Sequence, residues 1–306
     1  MKETFGQKTR RSHKRNQRVV MFWRAFVFAF VIAGVWLFRG TLFQNDSDAS
    51  STGTNQSWHD ACGTAIVGKN TDVTQAPMDH EVWQKLQDLV SQDQRVQQVI
   101  DNCEIYPEDI LKMLSRNLDM LNFVLEYPEK VGQVFAETVG EVEVGEVLLL
   151  LQYDQRWGYG DYGNSSVAVS GCGPACLSMV ITSLTGDDTI TPYVVAQYAS
   201  EQGYYVPGAG TAWTLMSEGA KHFGVIGEEL PLTKSIMEGV LKEGRPIICS
   251  MRPGDFTTTG HFIVITGIKD GQFTVNDPNS TERSNMLWDY DTLKPQISNL
   301  WAFQAL

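Results

Sequence analysis

The chain has 306 residues, 42% of them hydrophobic, and its 24 basic and 36 acidic residues give a formal net charge of −12 at pH 7. The first 40 residues contain nine basic residues and one acid, net +8, whereas the remainder contains 15 basic residues and 35 acids, net −20. Such an acidic chain after residue 40 excludes nucleic acid and anionic lipid surfaces as its natural partners.

An apolar segment near the N-terminus, residues 19–38, is interrupted only by Arg24. Twenty helical residues extend about 30 Å, the thickness of a bilayer core, so the sequence predicts a transmembrane helix at 19–38. The alternative is a cleaved signal peptide, but residues 38–41 (Phe-Arg-Gly-Thr) are not the small residues of a cleavage site. Because basic flanks stay on the cytoplasmic side, residues 1–18 are predicted to be a cytoplasmic tail and the residues after the span to be extracellular.

Two different segments follow the predicted span. Residues 39–79 are predicted to be an extracellular linker, because 41–57 is polar and rich in Ser, Thr, Asn and Asp. Residues 80–140 are predicted to be a helical domain, because apolar residues recur there every three or four positions. Tyr-Pro-Glu occurs at 106–108 and 127–129, and each copy is typical of a helix start. The hypotheses for this region are a small repeat and an ordinary helical spacer or docking domain for a protein partner.

From about residue 145 glycine and aromatic residues become more frequent, and helix signals precede strand signals. Capping residues and apolar periodicity predict helices at 173–185, 191–202, 211–223 and 233–243. Apolar runs bounded by turn residues predict strands at 246–251, 261–268 and 272–276, with a last strand around 301–303. This order predicts an α+β domain over residues 145–306.

Five cysteines are an odd number for a chain predicted to be exported, which suggests a free reactive thiol. Cys62 and Cys103 lie outside the C-terminal domain, and a disulfide between them is one hypothesis. Cys176 and Cys249 lie in apolar segments that favour plain core packing. Since no pair has the CxxC spacing of a structural zinc site, no metal is predicted.

Cys172 is the strongest candidate for the reactive thiol. It lies between Gly171 and Gly173 and just before Pro174, at the start of a predicted helix, and the glycines allow other parts of the backbone to come close. The positive end of a helix dipole favours the thiolate form of a cysteine in this position. Acyl transfer by a thiolate also requires a base, a group that orients the base, and donors for the oxyanion.

His261 is the best candidate for the base, because it opens an apolar strand after a Gly-containing loop. The other histidines lie in the predicted tail, in or beside the linker, or on a helix surface: His13, His59, His80 and His222. A turn at 269–271 predicts a hairpin that brings Asp277, at the end of the next strand, to the same edge as His261. Asp277 is therefore predicted to orient the base. Asn276 is a weaker candidate, since successive residues of a strand face opposite sides.

Two donors are predicted for the oxyanion. One is the backbone N–H of Cys172, and the other is a side-chain amide upstream of the nucleophile. Gln152 and Gln155 are both candidates for the second donor, because they share one segment and have the same chemistry. Composition and spacing do not decide between them.

Four motifs carry a resemblance to a known family: Gln152-x-Asp154-x-x-Trp157, Gly171-Cys172-Gly173-Pro174-x-x-Leu177-x-Met179, Gly260-His261-Phe262 and Asn276-Asp277-Pro278. Over residues 145–306 the chain resembles the papain-like C39-type cysteine peptidases, relatives of the bacteriocin-processing peptidases that cut after double-glycine leaders. The resemblance implies a papain-like α+β fold. It also implies the roles of nucleophile for Cys172, base for His261, orienting group for Asp277 and oxyanion donor for Gln152 rather than Gln155.

The resemblance and the predicted topology together indicate a bacterial membrane-anchored extracellular cysteine peptidase acting on a peptide or protein, without a cofactor. The chain has one predicted span and no Walker A phosphate loop, so leader processing coupled to transport is not expected. One alternative is an amidase or transpeptidase acting on cell-wall peptides. Another is a non-catalytic surface binding protein on a peptidase fold, against which the complete Gln/Cys/His/Asp set is evidence.

Overall fold

The computed structural model describes residues 80–306. Its N-terminal part contains helices α1 (His80–Val90), α2 (Val96–Asp101), α3 (Glu108–Leu114) and α4 (Leu121–Lys130), with 3₁₀ turns at Cys103–Ile105 and Leu118–Met120. Within residues 80–306, no helix combines the length and the apolar character needed to cross a membrane. The predicted tail, span and linker (1–18, 19–38 and 39–79) and Cys62 lie outside the described residues, and Cys103 is disulfide-bonded.

The apolar spacing predicted helices over residues 80–140, and the structure confirms helices as far as Lys130, whereas residues 131–140 contain no helix. Their buried faces form one core that also takes in Tyr153, Tyr159 and Ala168 from the following segment. One copy of Tyr-Pro-Glu begins a helix as predicted, since α3 starts directly after Pro107. The prediction for the second copy was wrong, because Pro128 lies inside α4. Tyr127 packs edge to face on Phe123 there, and this burial keeps the helix intact to Lys130.

The segment after residue 160 builds the first half of the C-terminal domain. A small hairpin, β1 (Asp161–Tyr162) and β2 (Ser165–Ser166), leads into α5 (Val167–Ser170) and then into α6 (Cys172–Thr185) and α7 (Pro192–Glu201). The helix predicted at 173–185 is confirmed as α6, which ends at Gly186 with φ of 74°. The helix predicted at 191–202 is confirmed as α7, whose cap Thr191 accepts a hydrogen bond from the N–H of Val194.

The prediction of a helix at 211–223 was wrong for the first half of this range. This stretch follows β3 (Tyr205–Val206) and begins in β4 (Gly210–Thr211), and only afterwards forms the short helix α8 (Thr214–Ser217) and a 3₁₀ turn at Gly219–Phe223. Thr211 is not a helix cap, because its hydroxyl is hydrogen-bonded to the Tyr162 hydroxyl at 2.8 Å. This long-range contact holds the residue in the hairpin instead.

Within residues 80–306, six strands form an antiparallel sheet in the order β5-β10-β6-β7-β8-β9. The strands are β5 (Val225–Glu229), β6 (Ile247–Met251), β7 (His261–Lys269), β8 (Gln272–Asn276), β9 (Leu287–Trp288) and β10 (Ile297–Ala305). Three helices interrupt them: α9 (Lys234–Lys242), α10 (Thr281–Ser284) and α11 (Tyr290–Leu293). The four predicted strands and the helix predicted at 233–243 are confirmed, whereas β5 and β9 were not predicted.

Both faces of this sheet are covered. One face packs in the same core as α6, and the other packs in a core with Met237 of α9. This explains why β6 is apolar at every position except Ser250, since all five of its residues are buried. The arrangement is a mixed helix and sheet domain, as the sequence predicted, and it sets the start of α6 beside the ends of β7 and β8.

Candidate active site

Cys172 is the first residue of α6 and is half-buried. The two neighbouring glycines are required by close packing. A Cβ on Gly171 would lie 2.4 Å from the backbone oxygen of Val167, and one on Gly173 would lie 2.6 Å from the Thr211 hydroxyl. As the first helical residue, Cys172 has a backbone N–H without an acceptor inside the helix. The site thus combines a thiol, the positive end of a helix and a free N–H donor.

The predicted hairpin brings His261 and Asp277 together. β7 and β8 pair across a tight turn in which Asp270 and Gly271 both have positive φ, 53° and 79°. At the open end of this hairpin His261 Nε2 lies 2.7 Å from Asp277 Oδ1. Because Nε2 is engaged with Asp277, the other ring nitrogen is the one available to the Cys172 thiol, which interacts with the imidazole.

The Asp277 carboxylate is fully buried, and both of its oxygens accept hydrogen bonds. Oδ1 accepts from the imidazole and from the backbone N–H of Asn279 at 2.8 Å, and Oδ2 accepts from Arg283 Nε at 2.5 Å. The sequence did not predict a role for Arg283. The available signal was a basic residue in a one-turn helix whose cap, Ser280, follows Asp277 by three residues.

Electrostatics in this cluster favour the ionised forms of both partners. Burial lowers the pKa of His261, but the charge and hydrogen bond of Asp277, together with Cys172, outweigh it and raise the pKa to about 10. Burial raises the pKa of Asp277, but His261 and Arg283 outweigh it and hold that pKa below its ordinary value. An imidazolium beside the thiol is the electrostatic partner that a thiolate nucleophile requires.

This ion pair predicts a pH-dependent stability. The raised pKa of His261 contributes stability that is complete below its ordinary value of 6.5 and is lost as the pH rises towards about 10. We therefore expect the difference in unfolding free energy between wild type and His261→Gln to shrink between pH 6.5 and 10, measured by urea titration. A difference that stays constant over this range would contradict the ion pair.

Gln152 lines the same cleft as Cys172 and His261, whereas Gln155 does not. The Gln152 side-chain amide nitrogen donates to the Ala168 carbonyl at 2.5 Å, which leaves its second N–H for another acceptor. Its oxygen Oε1 is buried and has no hydrogen-bond partner among the described residues. Gln155 instead donates to Asn122 and Glu126 of α4, and Asn276 donates to the Val147 carbonyl at 2.9 Å.

The motif around Gln152 has a structural basis. The backbone carbonyl of Asp154 accepts hydrogen bonds from the N–H groups of Trp157 and Gly158, at 3.1 and 2.7 Å, and these bonds form a tight turn. The buried Trp157 indole donates to the Leu151 carbonyl at 2.8 Å. These contacts, with the bond from the Gln152 N–H to the Pro278 carbonyl at 2.8 Å, fix the backbone on which the amide stands.

The site opens into a cleft of about 710 Å³. Gln152, Cys172 and His261 line it together with residues from three segments: 113–119 of the helical region, 254–260 before β7, and 279–285 around α10. Cys176, Cys249 and His222 do not line this cleft. Cys176 and Cys249 are completely buried, which raises the pKa of each, and the exposed His222 stacks on Tyr198 with 4.2 Å between ring centroids.

Comparison with protein-family models matches residues 146–304, just over half of the chain, to the Peptidase_C39 like family. Among solved structures, the chain is similar to the peptidase domain of Streptococcus ComA, a bi-functional ABC transporter involved in a quorum sensing pathway. That similarity has 17% identity and a TM-score of 0.35, and covers 44% of this chain and 89% of that one. Comparison with curated proteins found no match. The chain, with Gln152, Cys172, His261 and Asp277 all inside the matched segment, belongs to the Peptidase_C39 like family.

Proposed function

We propose that this chain is a membrane-anchored extracellular cysteine peptidase that hydrolyses peptide bonds. The observation that carries the proposal is the array of Cys172, His261 and Asp277 at the start of α6, with Gln152 lining the same cleft. Family membership supports the reaction class, because it covers the segment that contains all four residues.

In the proposed reaction, the Cys172 thiolate attacks the scissile carbonyl carbon, and the carbonyl oxygen takes up the negative charge. The backbone N–H of Cys172 and the free N–H of the Gln152 amide donate to this oxyanion. His261 then gives its proton to the leaving amine as the C–N bond breaks, which leaves a thioester on Cys172. Water, losing a proton to His261, attacks the thioester and releases the acid and the thiolate.

The proposed mechanism predicts a selective thiol. Cys172 should react with iodoacetamide faster than Cys176 or Cys249, since it is half-buried beside an imidazolium and they are completely buried. Labelling of Cys172 at neutral pH should fall sharply in His261→Ala. Peptide mass spectrometry after timed alkylation measures each rate. Equal rates at the three cysteines of the folded protein would contradict a special site.

Membrane anchoring is part of the proposal and rests on the apolar run at residues 19–38 after a basic tail. The intact chain should remain in the membrane fraction. Protease added to whole cells should remove the region after residue 57. A mature N-terminus recovered between residues 39 and 60 would show cleavage and exclude the anchor.

Product analysis tests the reaction itself. The full-length chain, purified in detergent, is incubated with peptide libraries and with purified cell wall, and the products are identified by mass spectrometry. Cleaved library peptides support a peptidase. Products from wall peptides alone support the amidase or transpeptidase alternative. An absence of products from both, together with an unreactive Cys172, supports the non-catalytic binding protein.

A further inference from the structure

The helical region contributes directly to the surroundings of the candidate active site. Residues of the segment 113–119, which runs from the end of α3 into the 3₁₀ turn before α4, line the same cleft as Cys172 and His261. Two residues of this segment, Asn117 and Asp119, also bond to the loop that follows Asp277. We define the catalytic-carboxylate loop as residues 277–283.

Two side-chain hydrogen bonds join the helical region to this loop across 162 positions of sequence. Asn117 Nδ2 donates to the Asn279 carbonyl at 2.9 Å. The Thr281 hydroxyl donates to the Asp119 carboxylate. The Asn117 side-chain oxygen accepts from the Asp119 N–H at 3.1 Å, which holds the two residues in one arrangement.

On the loop side, these two bonds are made by Asn279 and Thr281, and both residues are linked to the donors that fix the Asp277 carboxylate. Asn279 accepts from Asn117 through its carbonyl and donates through its N–H to Asp277 Oδ1. Thr281 opens α10, whose Arg283 donates to Asp277 Oδ2. A shift of the loop at Asn279 or Thr281 therefore moves the donors that orient the carboxylate, and with it His261.

We propose that Asn117 and Asp119 are positioning residues of the active site, through which the helical region holds the Asp277–His261 pair in register with Cys172. The proposal rests on the proposed peptidase function. It makes the helical region a part of the catalytic centre rather than a spacer. The competing explanation is that the two bonds only attach one part of the fold to another, in which case their loss changes stability but leaves the reactivity of Cys172 unchanged.

The test uses the full-length chain and the rate of Cys172 alkylation by iodoacetamide across pH. Asp119→Ala and Asn117→Ala should each slow labelling at neutral pH by about threefold to tenfold, the equivalent of one ordinary hydrogen bond. The pH at which the rate of Cys172 labelling increases should also be higher than in wild type, because a loosened Asp277 stabilises the His261 imidazolium less. The charged and titratable groups coupled to this pair are Cys172, the buried Cys176, Arg283 and the Tyr153 phenol.

Three further single variants and one double variant, Asp119→Ala with Thr281→Val, separate positioning from attachment. Asp119→Asn keeps an acceptor for Thr281 and should label close to the wild-type rate. Asp88→Ala, an exposed acid on α1, is the matched control and should match wild type. Thr281→Val should slow labelling as Asp119→Ala does, and the double variant should be no slower than either single one, since both remove the same bond.

The outcomes distinguish this inference from the proposed function. A wild-type Cys172 that labels no faster than Cys176 refutes the peptidase site and the inference with it. A selective wild-type Cys172, with Asp119→Ala and Asn117→Ala at the rate and pH profile of Asp88→Ala, refutes the inference alone. Additive losses in the double variant would also overturn it, because they would show that Asp119 and Thr281 act separately.

Discussion

Cys172→Ala should lower the rate of peptide hydrolysis by roughly 10⁴–10⁶-fold, because the side chain removed is the one that forms the covalent intermediate. We expect this variant to keep the wild-type fold, since Cys172 is half-buried at a helix start and alanine favours helices. The measurement is the steady-state cleavage of a peptide found by product analysis, with circular dichroism to verify folding.

Cys249→Ala is the matched control. Cys249 carries the same thiol group as Cys172. However, it lies in β6 on the sheet face that packs with α9, where burial raises its pKa. Its replacement should leave hydrolysis near the wild-type rate. If Cys172→Ala retained full activity while Cys249→Ala lost it, the nucleophile would have been assigned to the wrong cysteine.

The parts of the site that sequence predicted are those that local chemistry determines. The turn at 269–271 and the strands on either side are close in sequence, so the meeting of His261 with Asp277 followed from hairpin geometry alone. The start of α6 at Cys172 followed in the same way from two glycines and a proline. Each of these predictions depended on residues fewer than twenty positions apart.

The parts that sequence could not predict depend on contacts between distant segments. Thr211 looks like a helix cap, but its bond to Tyr162, 49 positions away, holds it in β4. The contacts of Asn117 and Asp119 with the catalytic-carboxylate loop span 162 positions and involve residue types that are ordinary on any surface. Pattern and propensity carry no information on such pairs, because the spatial neighbour is set by tertiary packing.

The choice between Gln152 and Gln155 shows the same limit within one short segment. The two amides have identical chemistry, and only the resemblance favoured Gln152. Their different environments follow from the turn made by Asp154, which leaves Gln152 3% exposed beside the cleft and directs Gln155 to Glu126 of α4. The role of Gln152 in catalysis is a prediction that mutation can test.

Gln152→Ala should lower turnover by roughly 10²–10³-fold while the protein remains folded, the loss expected for one oxyanion donor. The fall should appear in kcat, because the oxyanion exists only in the transition state and the intermediate that follows it. Alkylation of Cys172 should change far less, since that reaction forms no oxyanion. The measurement is therefore a comparison of kcat with the rate of iodoacetamide labelling in the same variant.

Gln155→Ala is the control that makes this result decisive. This variant removes the same chemical group three positions away. It loses two hydrogen bonds to α4, to Asn122 at 3.1 Å and to Glu126 at 2.8 Å. We therefore expect it to affect the helical region without reducing kcat by more than about tenfold. If Gln155→Ala lost kcat and Gln152→Ala kept the wild-type kcat, the oxyanion donor would be Gln155 and not Gln152. Equal losses in kcat and in alkylation for Gln152→Ala would instead mean that Gln152 supports the fold around Cys172, through its bond to Ala168, and does not stabilise the oxyanion.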